Sequence, residues 1–148
     1  MIIYLDTCSL QRPLDSKTQT RIILEAEAIL GVIRLCDAGE IELMSSDVLL
    51  YEIKRNPKAV RREFGLEVLN KADHFVSLNE MIGHSAKKFE RSGIKPLDAL
   101  HLASAQIANA DYFCTCDDRF LRKAKRLVNL TTKVVSPLEL IEELENGN

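Results

Sequence analysis

The chain has 148 residues, 46% of them hydrophobic and 28% charged, which is enough apolar material for one ordinary domain with its own core. A net charge of −2 excludes a whole-molecule field that would draw in nucleic acid, so any such binding has to be local or assisted by a metal ion. The longest apolar runs, MIIYL at the start and VLL at Val48 to Leu50, are too short to cross a bilayer or form a signal-peptide core. A cytoplasmic protein with no membrane partner is the expectation.

Residues Ile2 to Leu5 form a β-branched, apolar run that stops at Asp6, as a buried strand does at the edge of a sheet. A loop with Pro13 and Asp15 follows, then a helical pattern from about Thr18 to Ala38 that Gly39 ends. Ile41 to Met44 read as a second strand, with Ser45-Ser46 as N-cap of a helix through Val48 and Glu52. The pattern predicts a helix over Pro57 to Lys71, a strand over His74 to Leu78 and a helix over Asn79 to Arg91. Pro96 opens the helix PLDALHLASAQIANA, Tyr112 to Thr115 form a strand, and DDRFLRKAKRL forms a basic helix. Val134-Val135 give a last strand, Pro137 starts an acidic helix, and Glu145 to Asn148 look like a tail.

Strands alternating with helices imply right-handed crossovers and a parallel sheet covered on both faces. The expected class is α/β, three-layered, and with no repeat or linker in the pattern residues 1 to 148 read as a single domain. The four cysteines, Cys8, Cys36, Cys114 and Cys116, lack zinc-knuckle spacing and offer no disulfide framework, so core thiols are the simpler reading of Cys114 and Cys116.

Open parallel sheets bind ligands beyond the carboxyl ends of their strands, where strand order switches direction. Asp6 and Asp117 both follow strands, and if those strands are neighbours their carboxylates face each other and need a cation. Asp98 sits in the first turn of its helix, where the helix dipole favours a carboxylate whatever its role. Glu52 interrupts the apolar VLLYEI on a helix that has to pack on the sheet, so it needs a partner or a metal.

The segments YLDTCSL, SSDVLLYEI, IKPLDALHLASA and DYFCTCDDRFL, in this order, resemble the four motifs of PIN domains. Within that family the chain is similar to the VapC-type ribonuclease toxins of type II toxin–antitoxin systems. The resemblance implies a central parallel sheet ordered 3-2-1-4-5, in which strands 1 and 4 are neighbours at the switch point. It also implies an acidic quartet of Asp6, Glu52, Asp98 and Asp117, with Thr7 as the hydroxyl after the first aspartate. Cys8 stands where the family more often has a small polar residue.

A cluster of carboxylates suits Mg²⁺ or Mn²⁺ rather than zinc or copper. Asp6 and Asp117 are the expected direct ligands, Asp98 a ligand or water-mediated partner, and Glu52 a ligand or orienter of water. Basic residues gather in KRNPKAVRR (54–62) and RFLRKAKR (119–126), either as a grip on phosphates or as solvated helix faces, with Arg119 the best single candidate for substrate binding. His101, three residues after Asp98, either touches the site or packs in the core. Asp111 precedes its strand and Asp118 reads as a cap or first-turn residue of the basic helix, so both stand outside the site.

The expected function is therefore a metal-dependent endoribonuclease with RNA as substrate, an antitoxin as partner and a homodimer suggested by the apolar helix of residues 18–38. The alternatives are a housekeeping RNA-processing or single-stranded DNA nuclease and a catalytically silent nucleic-acid-binding module. A phosphatase of the haloacid dehalogenase type would need an aspartate where Cys8 stands, and a phospho-accepting receiver domain would need an acid at the end of the third strand.

Overall fold

The computed structural model describes residues 1–147. Five parallel strands, β1 (Ile2–Leu5), β2 (Glu42–Ser46), β3 (His74–Val76), β4 (Tyr112–Cys114) and β5 (Lys133–Val135), form one sheet in the order β3-β2-β1-β4-β5. Its pairings are all parallel, with Tyr4 opposite Met44 on one side and Phe113 on the other. Strand β1 is central, and the chain builds outward from it first through β2 and β3, then through β4 and β5. The expected α/β class and strand order are those observed.

Helices flank the sheet: α1 (Thr7–Gln11), α2 (Thr20–Asp37), α3 (Asp47–Lys54), α4 (Ala59–Leu69), α5 (Glu80–Arg91), α6 (Pro96–Ile107), α7 (Asp118–Lys125) and α8 (Pro137–Asn146). The segment expected as a loop after β1 is instead α1 followed by a 3₁₀ turn over Arg12–Leu14. Asp6 accounts for the difference, because its carboxylate accepts the Ser9 N–H and so satisfies a donor at the start of a helix too short to show periodicity. Strand β3 ends at Val76 rather than Leu78, since the Leu78 N–H is taken by the Asp47 carboxylate. The acidic C-terminal stretch is helical as far as Asn146, so Glu145 is not tail, and Asn148 lies outside the described residues.

The other boundaries follow from local chemistry. Ser46 caps α3 by accepting the Leu49 N–H, and Asn79 caps α5 by accepting the Ile82 N–H. Gly39, at φ +73°, ends α2 in the left-handed region that glycine enters without a Cβ penalty. Inside the sheet Tyr4 stacks on Phe113 with centroids 5.1 Å apart, and Phe113 meets Phe120 of α7 edge-on at 5.4 Å. That aromatic column locks β1 and β4 together directly beneath the switch point.

Gly65 brings α4 close to α1 and α3, because a Cβ built there would lie 3.0 Å from both Gln11 Nε2 and Ile53 Cδ1. Alanine favours a helix by roughly 1 kcal/mol over glycine, but overpacking costs about 1–3 kcal/mol. Gly65→Ala is expected to lower stability by about 1 kcal/mol net in a urea melt, and a gain would show that α1 and α3 yield freely.

Candidate active site

Chain direction across the sheet reverses between β1 and β4, so their carboxyl ends open a crevice there. Asp6 leaves β1 directly and is only 4% exposed. Its Oδ1 accepts the Ser9 N–H at 3.0 Å and the Cys8 thiol at 3.1 Å. Burial, and then the neighbouring Cys8, push its carboxyl well above the usual range, although the Thr115 hydroxyl and the Ser9 N–H oppose the shift. Strand β4 stops at Cys114, and Asp117 caps α7 with Oδ1, which accepts the N–H groups of Arg119 at 3.0 Å and Phe120 at 3.1 Å. The N-cap of this helix is thus Asp117, while Asp118 in its first turn is held by Arg21 in a two-pronged ion pair.

Asp98 stands in the first turn of α6, after Pro96, and its carboxylate accepts no hydrogen bond among the described residues. Burial raises its pKa, with His101 opposing and the charges of Asp117 and Glu52 adding to the shift. These charges therefore bear on one another across the site even though they come from separate elements.

Glu52, on α3, is held from two sides. Its Oε1 accepts the Thr7 hydroxyl at 2.7 Å and makes a very short contact with His101 Nε2. Burial alone would raise the Glu52 pKa, but the hydrogen bonds from His101 and Thr7 outweigh it and the net shift is downward. His101 is 1% exposed, and its Nδ1 lies 2.6 Å from the hydroxyl of Tyr4, which lies 2.7 Å from Ser46 Oγ. One proton assignment satisfies every group: Ser46 donates to Tyr4, Tyr4 donates to His101 Nδ1, and His101 donates from Nε2 to Glu52. His101 is therefore both a packed core residue and a contact of the site.

Asp6, Thr7, Glu52, Asp98 and Asp117 all line one open cleft of about 360 Å³, together with His101, Cys8, Cys116 and Arg12. Arg119 lines an adjoining hollow that shares Asp98 and Asp117 with this cleft. Arg12 carried no signal in the sequence beyond its charge. Its guanidinium is anchored to Asp15 at 2.8 Å and to the buried Glu25 at 3.1 Å, while its buried Nε has no hydrogen-bond partner. Cys116 is buried as expected of a core thiol, yet it also borders the cleft and touches Ser9 Oγ at 3.6 Å.

Among the described residues, no three His, Cys, Asp or Glu side chains stand close enough together to hold an ion as they are. The donor set nevertheless fits a hard divalent cation in its chemistry. Four carboxylates border the cleft, among the described residues the second oxygens of Glu52 and Asp117 accept no hydrogen bond, and burial, joined at Asp98 by the charges of Asp117 and Glu52, raises the pKa of Asp6 and Asp98 in a way that a cation would relieve.

A model of the PIN domain matches residues 3–126, most of the chain. The protein belongs to the PIN domain family. Among solved structures, the PIN chain resembles FitAcB from Neisseria gonorrhoeae with a TM-score of 0.59 at 14% identity, over 92% of this chain and 98% of that one. It also resembles VapBC2 from Rickettsia felis, solved bound to a DNA fragment from their promoter, with a TM-score of 0.57 at 16% identity over 91% of this chain and 99% of that one. At these identities the likeness is one of fold. No curated protein matches by sequence.

Within this PIN fold, the buried relay lends itself to a stability measurement. Tyr4→Phe strips one hydroxyl and leaves His101 Nδ1 and Ser46 Oγ short of a partner in the core, so a loss of about 1–3 kcal/mol is expected by urea denaturation. A variant as stable as the parent would mean the relay carries no net weight. Asp98 gives a pH test with a definite sign. Because its folded pKa is raised, its charged form opposes folding above that pKa, and the penalty fades as the pH falls and the proton binds. Without divalent ions, Asp98→Asn should melt above the parent at about pH 8, and the gap should narrow on acidification through the carboxylate range. A gap that widens on acidification would contradict the crowding argument.

Proposed function

We propose that the chain is a divalent-metal-dependent endoribonuclease and the toxin component of a type II toxin–antitoxin pair. The observation that carries this reading is the gathering of Asp6, Glu52, Asp98 and Asp117 around one cleft at the switch point of a PIN fold. PIN domains are generally nucleases. Carboxylates so placed suit Mg²⁺ or Mn²⁺.

In this reading Asp6, Asp98 and Asp117 hold the metal. A divalent ion held by these residues would supply charge neutralisation at the scissile phosphate and a lowered pKa for water. Glu52 directs the attacking water with Oε2, because Oε1 is occupied by Thr7 and His101. Thr7, at the start of α1, fixes that carboxylate from the cleft side and lies where substrate enters. Arg12 presents a cation to the phosphate from across the cleft, and its anchoring to Asp15 and Glu25 keeps it from collapsing onto the catalytic acids. Water adds to phosphorus, the bridging P–O bond breaks, and no covalent enzyme intermediate is required.

The partners in this reading are RNA, an antitoxin and a second copy of the chain. FitAcB and VapBC2 support the toxin–antitoxin assignment by fold, and α2 leaves Ile23, Leu24 and Leu30 exposed as apolar surface for a protein partner. Among the described residues no helix is long and apolar enough to cross a membrane, and the cytoplasm is the compartment that goes with such a toxin.

Purified protein should cut labelled RNA in Mg²⁺ or Mn²⁺ but not in EDTA, and Asp6→Asn should lose about a hundredfold or more of that rate while remaining folded. Equal cutting by parent and variant would overturn the site. Cutting of single-stranded DNA in preference to RNA would point to the housekeeping alternative, and inactivity of both proteins on a broad RNA set to a silent binding module.

A further inference from the structure

The two basic segments of the chain have different fates in the fold. In residues 54–62 the arginines are committed: Arg61 bonds to Asp15 and the Leu14 carbonyl, Arg62 to the Asn56 carbonyl, and Arg55 lies over the Tyr51 ring. On α7, Lys123 donates to the Gly93 carbonyl and Lys125 to Glu139. Arg119, Arg122 and Arg126 are exposed, and among the described residues none of their guanidinium groups donates a hydrogen bond or forms an ion pair. Their spacing of three and four residues puts them on one face of the helix, opposite the buried Phe120 and Ala124.

That face is continuous with the acidic cleft. Asp98 and Asp117 border both the cleft and a smaller hollow that reaches Arg119 and Lys123. Arg119 and Lys123 in turn border a further open groove of about 320 Å³ with Arg122 and Arg126. A path thus runs from four carboxylates onto a strip of unpaired guanidinium groups, on a molecule whose net charge is −2.

We propose that this strip is a track for the phosphate backbone of single-stranded RNA on one side of the cut. The naming of RNA rests on the nuclease reading above; the track itself rests on the groove and its charge. From Arg119 to Arg126 the helix rises about 10 Å, the reach of about three phosphates in a stacked strand. Planar guanidinium groups bind phosphate oxygens in a two-pronged manner and take hold of backbone rather than base. An acidic peptide would find the same three cations, but it has no reason to continue into a cleft lined with carboxylates, whereas a phosphodiester chain does. Phosphates flanking the scissile one are then held by Arg119, Arg122 and Arg126, which makes α7 a determinant of affinity for longer substrates.

The test is fluorescence anisotropy of a labelled fifteen-nucleotide single-stranded RNA in Mg²⁺, in the Asp6→Asn background so that the probe survives. Arg119→Gln/Arg122→Gln/Arg126→Gln is compared with Arg34→Gln/Lys71→Gln/Lys133→Gln, which removes equal charge at the opposite end of the strands. The track variant should bind at least about tenfold more weakly at moderate salt. Its slope of log affinity against log salt should shrink by about 2, since each lost phosphate contact on a single strand is worth about 0.7. The control variant should change neither quantity. Equal weakening in both variants, or unchanged affinity and slope in the track variant, would overturn the proposal. So would a poly-glutamate peptide that competes with the RNA for the track at equal charge concentration, which would assign the strip to an acidic protein segment. Parallel cleavage assays with Asp6 intact separate the two readings: a protein that binds along α7 but never cuts keeps the track and loses the nuclease, and one that cuts with α7 irrelevant does the reverse.

Discussion

A tyrosine hydroxyl in the middle of the sheet holds a histidine, and the histidine holds the glutamate at the edge of the cleft. Tyr4 and Ser46 are fully buried, and polar groups so placed cost free energy unless each finds a partner. The chain of bonds from Ser46 through Tyr4 and His101 to Glu52, with Thr7 closing on the same oxygen, satisfies all of them. It also ties β2, β1, α6, α3 and α1 to one another through side chains alone. The position of one carboxylate oxygen is thereby set by the packing of the core, in a medium where hydrogen bonds are strong and unpaired groups are expensive.

The remaining acids are held differently from one another. Among the described residues the Asp98 carboxylate accepts no hydrogen bond, Asp117 commits one oxygen to capping α7, and Asp6, at the end of the central strand, is buried with one oxygen bonded to Ser9 and Cys8. Burial disfavours the charged forms of Asp6 and Asp98, helped at Asp6 by Cys8 and at Asp98 by the charges of Asp117 and Glu52, while Glu52, braced by two donors, keeps its charge easily. A site in which three acids are each held by one oxygen and the fourth is held by none is suited to attracting positive charge. Arg12 stands at the same cleft without quenching it, because Asp15 and Glu25 hold its guanidinium.

Most elements could be read from residue periods and caps: the apolar run that stops at Asp6, the Ser46 and Asn79 caps, Pro96 and Pro137 at helix starts, and Gly39 at a helix end. The short helix α1 could not, since a handful of residues shows no period and Pro13 reads as a loop signal. Whether Asp118 caps α7 or stands in its first turn, where it is found, could not be read for a similar reason. Two adjacent aspartates are equivalent in sequence, and the reach of Arg21 from α2, which claims Asp118, is visible only in three dimensions. Glu52 needs a partner because it interrupts an apolar stretch, but that the partner is His101 depends on how α3 meets α6.

The sequence by itself determined the class of fold, the family and the identity of the acids at the strand and helix ends, because hydrophobic period, caps and ordered motifs are local properties. Which of the charges are paired and which stand free depends on how the elements pack. Arg12, His101 and the free arginines of α7 differ from their neighbours not in residue type but in what lies within a few ångströms of them. Hydrogen bonding and ion pairing fall off over that distance, and the crossovers of the sheet, which bring residues a hundred positions apart into contact, set it.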